Sequence, residues 1–414
     1  MAEFIMIDPL SQLFKNMLGD LHTPWSHLAR RLRTDASFTT LVLASTPFSS
    51  MPTEVLQALS ESEHVHTIHF QLMGMVDTDC RIVAKFGLPL RTLTTLKLSR
   101  NSISAAGIPA IASAALLPTT SALTSLDLSA NPLGSDLAEL GRAVARSRVR
   151  ILNLSSTQCA EGLTEMVTEM AKALRDEGLD RPGMLQTLQL QNNAIDDEVA
   201  ASLVAPLAAA GVCELFLGKN RIGDTGGSAL AQGCAETDCH GTLTSPLRKL
   251  SLIENRLGNA AACSFASALS ASCPLLALNL SHNSIGDEGV VALAASVQHN
   301  ARITSLDVGI NVASKQATSD VAAHMTREAQ TRRRHAQFRH AARHLLLSNR
   351  FPRGGEGKML LAKVPHAVLL AILELSKPDG FSFEATHVAA HAGAPSLAQT
   401  SVVLLSELNQ PGTR

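Results

Sequence analysis

The stretch Leu93-Thr-Thr-Leu-Lys-Leu-Ser-Arg-Asn-Ser-Ile103 recurs 30 residues later as Leu123-Thr-Ser-Leu-Asp-Leu-Ser-Ala-Asn-Pro-Leu133. Both follow the frame Leu-x-x-Leu-x-Leu-x-x-Asn-x-Ile/Leu. The same frame, with Asn in register, is found at Leu185–Asn193, Val212–Asn220, Leu247–Asn255, Leu275–Asn283 and Ile303–Asn311. Three further frames carry Thr or Met instead of Asn, at Phe38–Thr46, Val65–Met73 and Val149–Thr157. The chain therefore contains about ten copies of one small unit.

Each copy reads as a short strand followed by a helix. The fourth position of the frame, from Leu41 to Leu306, recurs every 26 to 36 residues. Apolar residues at positions 4 and 6 predict a short parallel strand with one face turned inward. Asn at position 9 can bond backbone groups where the strand ends. Downstream, Asp224 and Asp287 stand where a helix begins, ahead of Ala-rich apolar faces. Such units bury their apolar faces only by stacking on their neighbours.

These frames resemble the leucine-rich repeat family, and their length and helical second halves resemble its ribonuclease-inhibitor-like, long-repeat class. The resemblance covers residues 36–313, about two thirds of the chain. It implies an α/β solenoid, a horseshoe of about ten strand-helix repeats, with helical caps at both ends. We divide the chain into an N-terminal helical cap (1–35), the solenoid (36–313), a basic C-terminal helix (314–350) and a helical C-terminal segment (351–414). We expect Trp25 to pack in the N-terminal cap.

The composition agrees with a thin aliphatic core. Hydrophobic residues make up 45% of the 414 residues but aromatic residues only 3%, with one Trp and no Tyr. This apolar fraction, at a net charge of −1, excludes intrinsic disorder. Seven Cys in so long a chain exclude a disulfide framework. The sequence shows no recognisable secretory signal and no apolar stretch that could span a bilayer, so we expect a cytoplasmic protein with reduced thiols.

Binding chemistry should lie on the strand face, which we define as the outward-pointing strand side chains. This face is mainly neutral and polar, which favours a protein partner on the concave side. Phe216 departs from the pattern as an aromatic anchor among charged residues. The alternative is that Phe216 packs against Gln189 or Ile253 and has no other role. The predicted partner site comprises Asp127, Gln189, Phe216, Lys219, Arg221, Ser251, Ile253, Glu254, Arg256 and Asn279.

The sequence predicts no catalytic, cofactor or metal site. Gly354-Gly-Glu-Gly-Lys358 lacks the first Gly of a phosphate loop and the hydroxyl after its Lys. Cys234, Cys239 and His240 offer three metal ligands, but no second Cys/His pair stands at zinc-finger spacing, so we interpret the cysteines as buried or loop thiols. The strand face lacks the basic cluster that nucleic acid requires. We therefore predict a non-enzymatic monomer that binds a protein, with no nucleic-acid partner.

The chain after Asn311 is basic. Residues 311–414 carry 13 Lys/Arg and 7 Asp/Glu, a net charge of +6. The segment Arg327–Arg343 would suit a nuclear location or an acidic partner, although we favour a solvated helix that closes the last repeat. Val364–Leu375 is similar to the F-box core Leu-Pro-x-Glu-Leu-Leu-x-x-Ile-Leu, with Ala367 in place of the acid. That similarity implies, as an alternative function, an adaptor that selects substrates for a ubiquitin ligase.

Another alternative is regulation of a GTPase, because the Ran GTPase-activating protein resembles this repeat class. A strongly acidic C-terminal tail would be expected of that protein, whereas the tail here is basic. We therefore place a protein-binding scaffold first among these functions.

Overall fold

A computed structural model describes residues 6–7, 24–86, 88, 91–116, 121–176, 185–235, 245–271, 273–300, 302–323 and 325–326. The chain divides into two compact units, Met1–Met325 and Thr326–Arg414. Apart from Thr326, every described residue belongs to the first unit. The predicted helix 314–350 is described as far as residue 326 and is helical over 315–323 and 325–326. The segment 351–414, the basic residues Arg327–Arg343 and the F-box-like stretch lie outside the described residues.

The first unit contains one parallel sheet whose eleven described strands follow one another in chain order. The strands are β1 (Met6–Ile7), β2 (Thr40–Ala44), β3 (Thr67–Gln71), β4 (Thr95–Lys97), β5 (Ser125–Asp127), β6 (Ile151–Asn153), β7 (Thr187–Gln189), β8 (Glu214–Phe216), β9 (Lys249–Ser251), β10 (Ala277–Asn279) and β11 (Ser305–Asp307). The helices are α1 (Pro24–Thr34), α2 (Thr53–Glu61), α3 (Asp77–Phe86), α4 (Ile108–Ala115), α5 (Ala138–Arg146), α6 (Ala160–Asp176), α7 (Asp197–Ala209), α8 (Asp224–Ala235), α9 (Asn259–Ser270) and α10 (Asp287–His299). From β2 onward one strand falls in each predicted frame, which confirms the α/β leucine-rich-repeat solenoid.

The predicted register is confirmed strand by strand. Leu41 of β2 is paired with Ile68 of β3, and the same fourth frame position is paired at every step as far as Leu278 with Leu306. All of these side chains are buried in the core. A slip of one residue would turn them outward, so the Leu spacing fixes the register.

The N-terminal segment differs from the purely helical cap that the sequence predicted. Met6 and Ile7 form β1, which pairs with Val42 and Leu43 of β2. The physical reason is that a capping helix alone would leave the hydrogen-bonding groups of β2 unpaired at the sheet edge. The half-buried Trp25 of α1 packs against the core, as expected.

The position-9 asparagines form a ladder of buried side-chain hydrogen bonds between repeats. Asn220 is representative, since its Oδ1 accepts from the backbone N–H groups of Asn193 (2.9 Å) and Ile195 (3.1 Å) in the preceding repeat. Its Nδ2 donates to the carbonyl groups of Leu190 (3.1 Å) and Leu217 (2.9 Å). One amide thereby satisfies four backbone groups that would otherwise be buried and unpaired. The ladder comprises Asn101, Asn131, Asn193, Asn220, Asn255, Asn283 and Asn311.

The ladder is interrupted between the repeats of β5 and β6, where the sequence has Thr157 in place of Asn. The Thr157 hydroxyl donates to Leu154 of its own repeat at 2.7 Å. Among the described hydrogen bonds, none joins the Thr157 side chain to the preceding repeat. At the same interface α5 and α6 approach closely, because a Cβ atom on Gly141 would collide with the carbonyl oxygen of Met166. Close backbone packing therefore accompanies the missing rung.

A second ladder runs along the beginnings of the helices. Asp224 and Asp287 are the first residues of α8 and α10, as the sequence predicted. The carboxylate of Asp224 caps the helix of the following repeat, because Oδ1 accepts from the N–H groups of Gly258 (2.8 Å) and Ala261 (2.9 Å). Asp197 does the same for Gly223 and Gly226. Each acidic residue thus stabilises the positive end of its neighbour's helix.

Candidate partner-binding face

The strand face carries three rows of outward side chains, at positions 3, 5 and 7 of each repeat. Sequence reasoning used positions 5 and 7 and missed position 3, whose residues begin the strands and share this face by alternation. Position 3 is occupied by a hydroxyl residue in six of the ten repeats, and by Ile151, Glu214, Lys249 and Ala277 in β6, β8, β9 and β10. Extending the alternation two residues back from position 5 would have identified them.

The structure brings the central part of the predicted site together. Phe216 is half-buried, and its neighbours in register are Gln189 on β7 and Ser251 on β9. Gly218 follows on the same face, where a Cβ atom would lie 2.7 Å from Cγ2 of Ile253. Because Gly218 has no side chain, the Ile253 side chain has room beside it, two residues along the chain from Phe216. Phe216 on β8 and Ile253 just after β9 therefore lie on the same part of a face that is mainly polar elsewhere.

The predicted charged rim lies at the ends of these strands. Lys219 and Glu254 both have left-handed backbone conformations, with φ of +57° and +55°, which turns the chain out of the sheet. Their side chains form an exposed ion pair with Nζ and Oε1 3.6 Å apart. Arg221 and Arg256 are exposed in the turns that follow. An exposed pair of this kind contributes at most about 1 kcal/mol to stability, so these charges remain available to a partner.

Two predicted site residues lie away from Phe216. Asp127 is on β5 and Asn279 on β10, three and two strands from β8, which corresponds to roughly 14 and 10 Å at the usual strand spacing. Both side chains also bond their own backbone, since Oδ1 of Asp127 accepts from the N–H of Ser129 (2.9 Å) and Oδ1 of Asn279 from that of Ser281 (2.9 Å). They could contact only a partner that spans several repeats.

His69, Lys97 and Asp127 follow one another in register on β3, β4 and β5. Burial lowers the pKa of His69 below its ordinary 6.5, Lys97 lowers it further, and Asp127 opposes this shift. The neutral imidazole is therefore favoured in the folded chain. As pH falls below 6.5, the unfolded chain takes up this proton first, so the contribution of His69 to stability decreases with decreasing pH.

We expect Lys97→Met to raise the pKa of His69, because the substitution removes the nearby positive charge. Asp127→Asn should lower it, because the opposing negative charge is lost. Both shifts can be measured by NMR titration of the His69 ring protons. An unchanged titration midpoint in Lys97→Met would contradict the electrostatic coupling along this row.

A groove of about 500 Å³ lies at the edge where β6, β7 and β8 begin. We call it the strand-edge groove, and its lining residues are Thr124, Arg150, Ile151, Gln186, Thr187, Cys213 and Glu214. They occupy positions 2 and 3 of four consecutive repeats, a set that sequence reasoning did not single out. The groove is lined by the exposed guanidinium of Arg150, the exposed aliphatic side chain of Ile151 and the carboxylate of Glu214, which forms an ion pair with Lys249.

Cys234, one of the cysteines interpreted from the sequence as buried or loop thiols, is buried in the structure. Burial raises the pKa of the Cys159 thiol to about 11 and that of the Cys80 thiol to about 12, and it also raises that of Cys234. These side chains are therefore protonated at neutral pH and poor nucleophiles. Cys239 and His240 lie outside the described residues.

Within the described part of the chain, no three His, Cys, Asp or Glu side chains form a group suited to a metal ion. Over the same residues, no helix combines the length and apolar character needed to cross a membrane.

The geometry thus defines a class of protein, an open solenoid in which one parallel strand and one helix repeat in chain order. The family model described as leucine-rich repeat matches residues 90–112, 214–231 and 271–294, which include strands β4, β8 and β10. The chain therefore carries leucine-rich repeats and has the fold of a leucine-rich-repeat solenoid. A search of curated proteins gives no match.

Several solved structures share similarity with this chain at low TM-scores. The structure of a TLR13–ssRNA13 complex matches with a TM-score of 0.40 at 15% sequence identity. The match covers 69% of this chain and 34% of the TLR13 chain. This chain therefore spans about a third of the length of TLR13. The internalin inlF from Listeria monocytogenes str. 4b F2365 gives 0.38 at 18% identity, covering 72% of this chain and 92% of the internalin. The structure of the yeast Rad7–Elc1 complex matches with a TM-score of 0.36 at 16% sequence identity. The match covers 74% of this chain and 89% of the chain in that structure.

Proposed function

We propose that this protein is a non-enzymatic scaffold of the ribonuclease-inhibitor-like repeat class, which holds a protein partner on its strand face. The observation that carries the proposal is Phe216, an aromatic side chain on a face whose other central positions are mostly polar. Burying an aromatic anchor within a polar rim is how many protein interfaces obtain their affinity. Phe216 and Ile253, bordered by Arg221 and Arg256, have this composition.

The remaining side chains of the strand face suit recognition of a partner by shape and hydrogen bonding rather than catalysis of a reaction. Asn153, Ser155 and Gln191 form a row in which Ser155 Oγ lies 2.7 Å from both Asn153 Oδ1 and Gln191 Oε1 and donates its single hydrogen to one of them at a time. Such mutual bonding holds side chains in place and lowers the entropic cost of ordering them on binding. The buried, protonated thiols fit the reducing cytoplasm that we propose as the protein's location.

The test is affinity purification of the full chain from cell extract, with quantitative mass spectrometry of the proteins that co-purify. We expect Phe216→Ala combined with Arg256→Ala to reduce recovery of the specific partner at least tenfold, about 1.4 kcal/mol or more in affinity. Val291→Ala is the matched control, because Val291 is 59% exposed on α10, away from the strand face. Equal recovery of every partner by the double variant and the control would refute the proposal.

A further inference from the structure

The strand-edge groove does not include Phe216 and is not required by the proposed function, although its residues Ile151, Thr187 and Glu214 belong to the position-3 row of the strand face. It spans the first residues of β6, β7 and β8, whereas Phe216 ends β8. We propose that this groove binds a short, acidic, extended segment of a partner protein. An aliphatic side chain of that segment would contact Ile151, and a neighbouring carboxylate would pair with Arg150. The proposal rests on the proposed function only in taking the partner to be a protein.

Recognition in this groove must come from side chains, because its backbone groups are already paired. The carbonyl of Arg150 accepts from the N–H groups of both Gln186 (2.8 Å) and Thr187 (2.9 Å). The carbonyl of Gln186 accepts in the same way from Cys213 (3.0 Å) and Glu214 (2.8 Å). A partner therefore cannot join the sheet as an extra strand at this point. It can use only the guanidinium, amide, hydroxyl and aliphatic groups that line the groove.

The charges of the groove favour an acidic ligand. Glu214 is already neutralised, since its carboxylate lies 2.5 Å from Nζ of Lys249 and accepts from the Thr187 hydroxyl at 3.1 Å. Arg150 is exposed, and no carboxylate of the described residues pairs with it or with the exposed Arg148 two residues earlier. A guanidinium presents a planar set of donors that matches a carboxylate. The unsatisfied charge of the groove is therefore positive.

The apolar component is Ile151. Its side chain is 41% exposed, at a position where neighbouring strands carry the hydroxyl residues Thr95, Ser125 and Thr187. A volume of about 500 Å³ accommodates a few side chains of a bound segment. A nucleic acid would need several basic groups along its path, whereas this groove is lined by one arginine and one glutamate. A peptide with alternating acidic and aliphatic residues matches both features.

The probes are two fluorescein-labelled peptides with the sequences Gly-Asp-Glu-Leu-Asp-Glu-Gly and Gly-Lys-Lys-Leu-Lys-Lys-Gly. Their binding to the full chain would be followed by fluorescence anisotropy at low salt. We expect the acidic peptide to bind at least tenfold more tightly, and Arg150→Glu to abolish or reverse this preference. Arg302→Glu is the matched control, because Arg302 is an exposed arginine near the start of β11, several strands away. Phe216→Ala should leave peptide binding unchanged, so this test can fail or succeed independently of the proposed function.

Footprinting locates the bound peptide. Cys213 lines the groove, whereas Cys263 lies on α9, and both thiols are half-buried. The acidic peptide should slow alkylation of Cys213 by N-ethylmaleimide and leave the rate for Cys263 unchanged, as read by peptide mapping. Three results would overturn the proposal: equal affinity for the two peptides, an unaltered preference in Arg150→Glu, or protection of Cys213 by an oligothymidylate but not by the acidic peptide.

Discussion

Replacing Asn220 with alanine is expected to lower the free energy of unfolding by about 4 kcal/mol, because the substitution leaves buried backbone donors and acceptors without partners. The amide of Asn220 accepts from two backbone N–H groups and donates to carbonyl groups of its own and the preceding repeat. Alanine can replace none of these bonds, and the site is too buried for bulk water to do so. Urea denaturation followed by circular dichroism would measure the loss.

Two variants serve as controls for Asn220→Ala. Asn220→Thr should lie between the wild type and the alanine variant, because Thr157 shows that a hydroxyl at position 9 can still bond the carbonyl of its own repeat. Gln232→Ala removes an exposed amide on α8 and should change stability by no more than about 0.5 kcal/mol. If Asn220→Ala were as stable as Gln232→Ala, the ladder would not contribute to stability as inferred.

The second large effect is expected for Gly141→Ala, which should destabilise the protein by about 3 kcal/mol. In an exposed helix the same change would be favourable by about 1 kcal/mol, since alanine is the better helix former. Here the added Cβ atom would collide with the backbone carbonyl of Met166 on α6. Backbone atoms cannot rotate away as a side chain can, so α5 and α6 would have to separate. Thermal and urea unfolding would measure the change.

Gly233→Ala provides the comparison for Gly141→Ala, because there the obstacle is a side chain. A Cβ atom on Gly233 of α8 would collide with Cγ1 of Val204 on α7. Adding Val204→Ala removes this obstacle, so the double variant should recover most of the stability lost in Gly233→Ala. Gly141→Ala, with a carbonyl as the obstacle, has no equivalent rescue. A Gly141→Ala variant as stable as the wild type would show that α5 and α6 can move apart at low cost.

The repeats were predictable from the sequence because their signal is local and is repeated many times. Leu41 and its equivalents fixed both the strand positions and their register, which the pairing of each with the next confirms. Strand β1 was not predicted, because Met6 and Ile7 form only two residues of strand and match no repeat frame. Its existence depends on the unpaired edge of β2, which is a property of the folded sheet and not of the local sequence.

The candidate site was only partly predictable. Phe216 was identifiable, since one aromatic residue in a polar row is visible in an alignment of the repeats. The proximity of Ile253 to Gly218 and the pairing of Lys219 with Glu254 fit the predicted grouping around this residue. The strand-edge groove could not be found in the same way, because it is formed by positions 2 and 3 of four repeats and depends on how those repeats stack. The free charge of Arg150 likewise depends on which acids lie near it in space.

The substitution of Thr157 for Asn has a consequence for how the array opens. In a linear array each unit is coupled only to its neighbours, so the weakest interface decides where unfolding divides the molecule. Between β5 and β6 the strands remain paired, and the coupling beyond the strands includes close backbone contact at Gly141 and the ion pair of Arg142 with Glu169. A gap of about 0.5–1 Å already removes roughly a quarter to a half of the attraction in such a packing contact. Two interfaces of the described solenoid therefore lack an asparagine rung, at Met73 and at Thr157, and local opening is expected to begin at these interfaces before the repeats that share a rung separate.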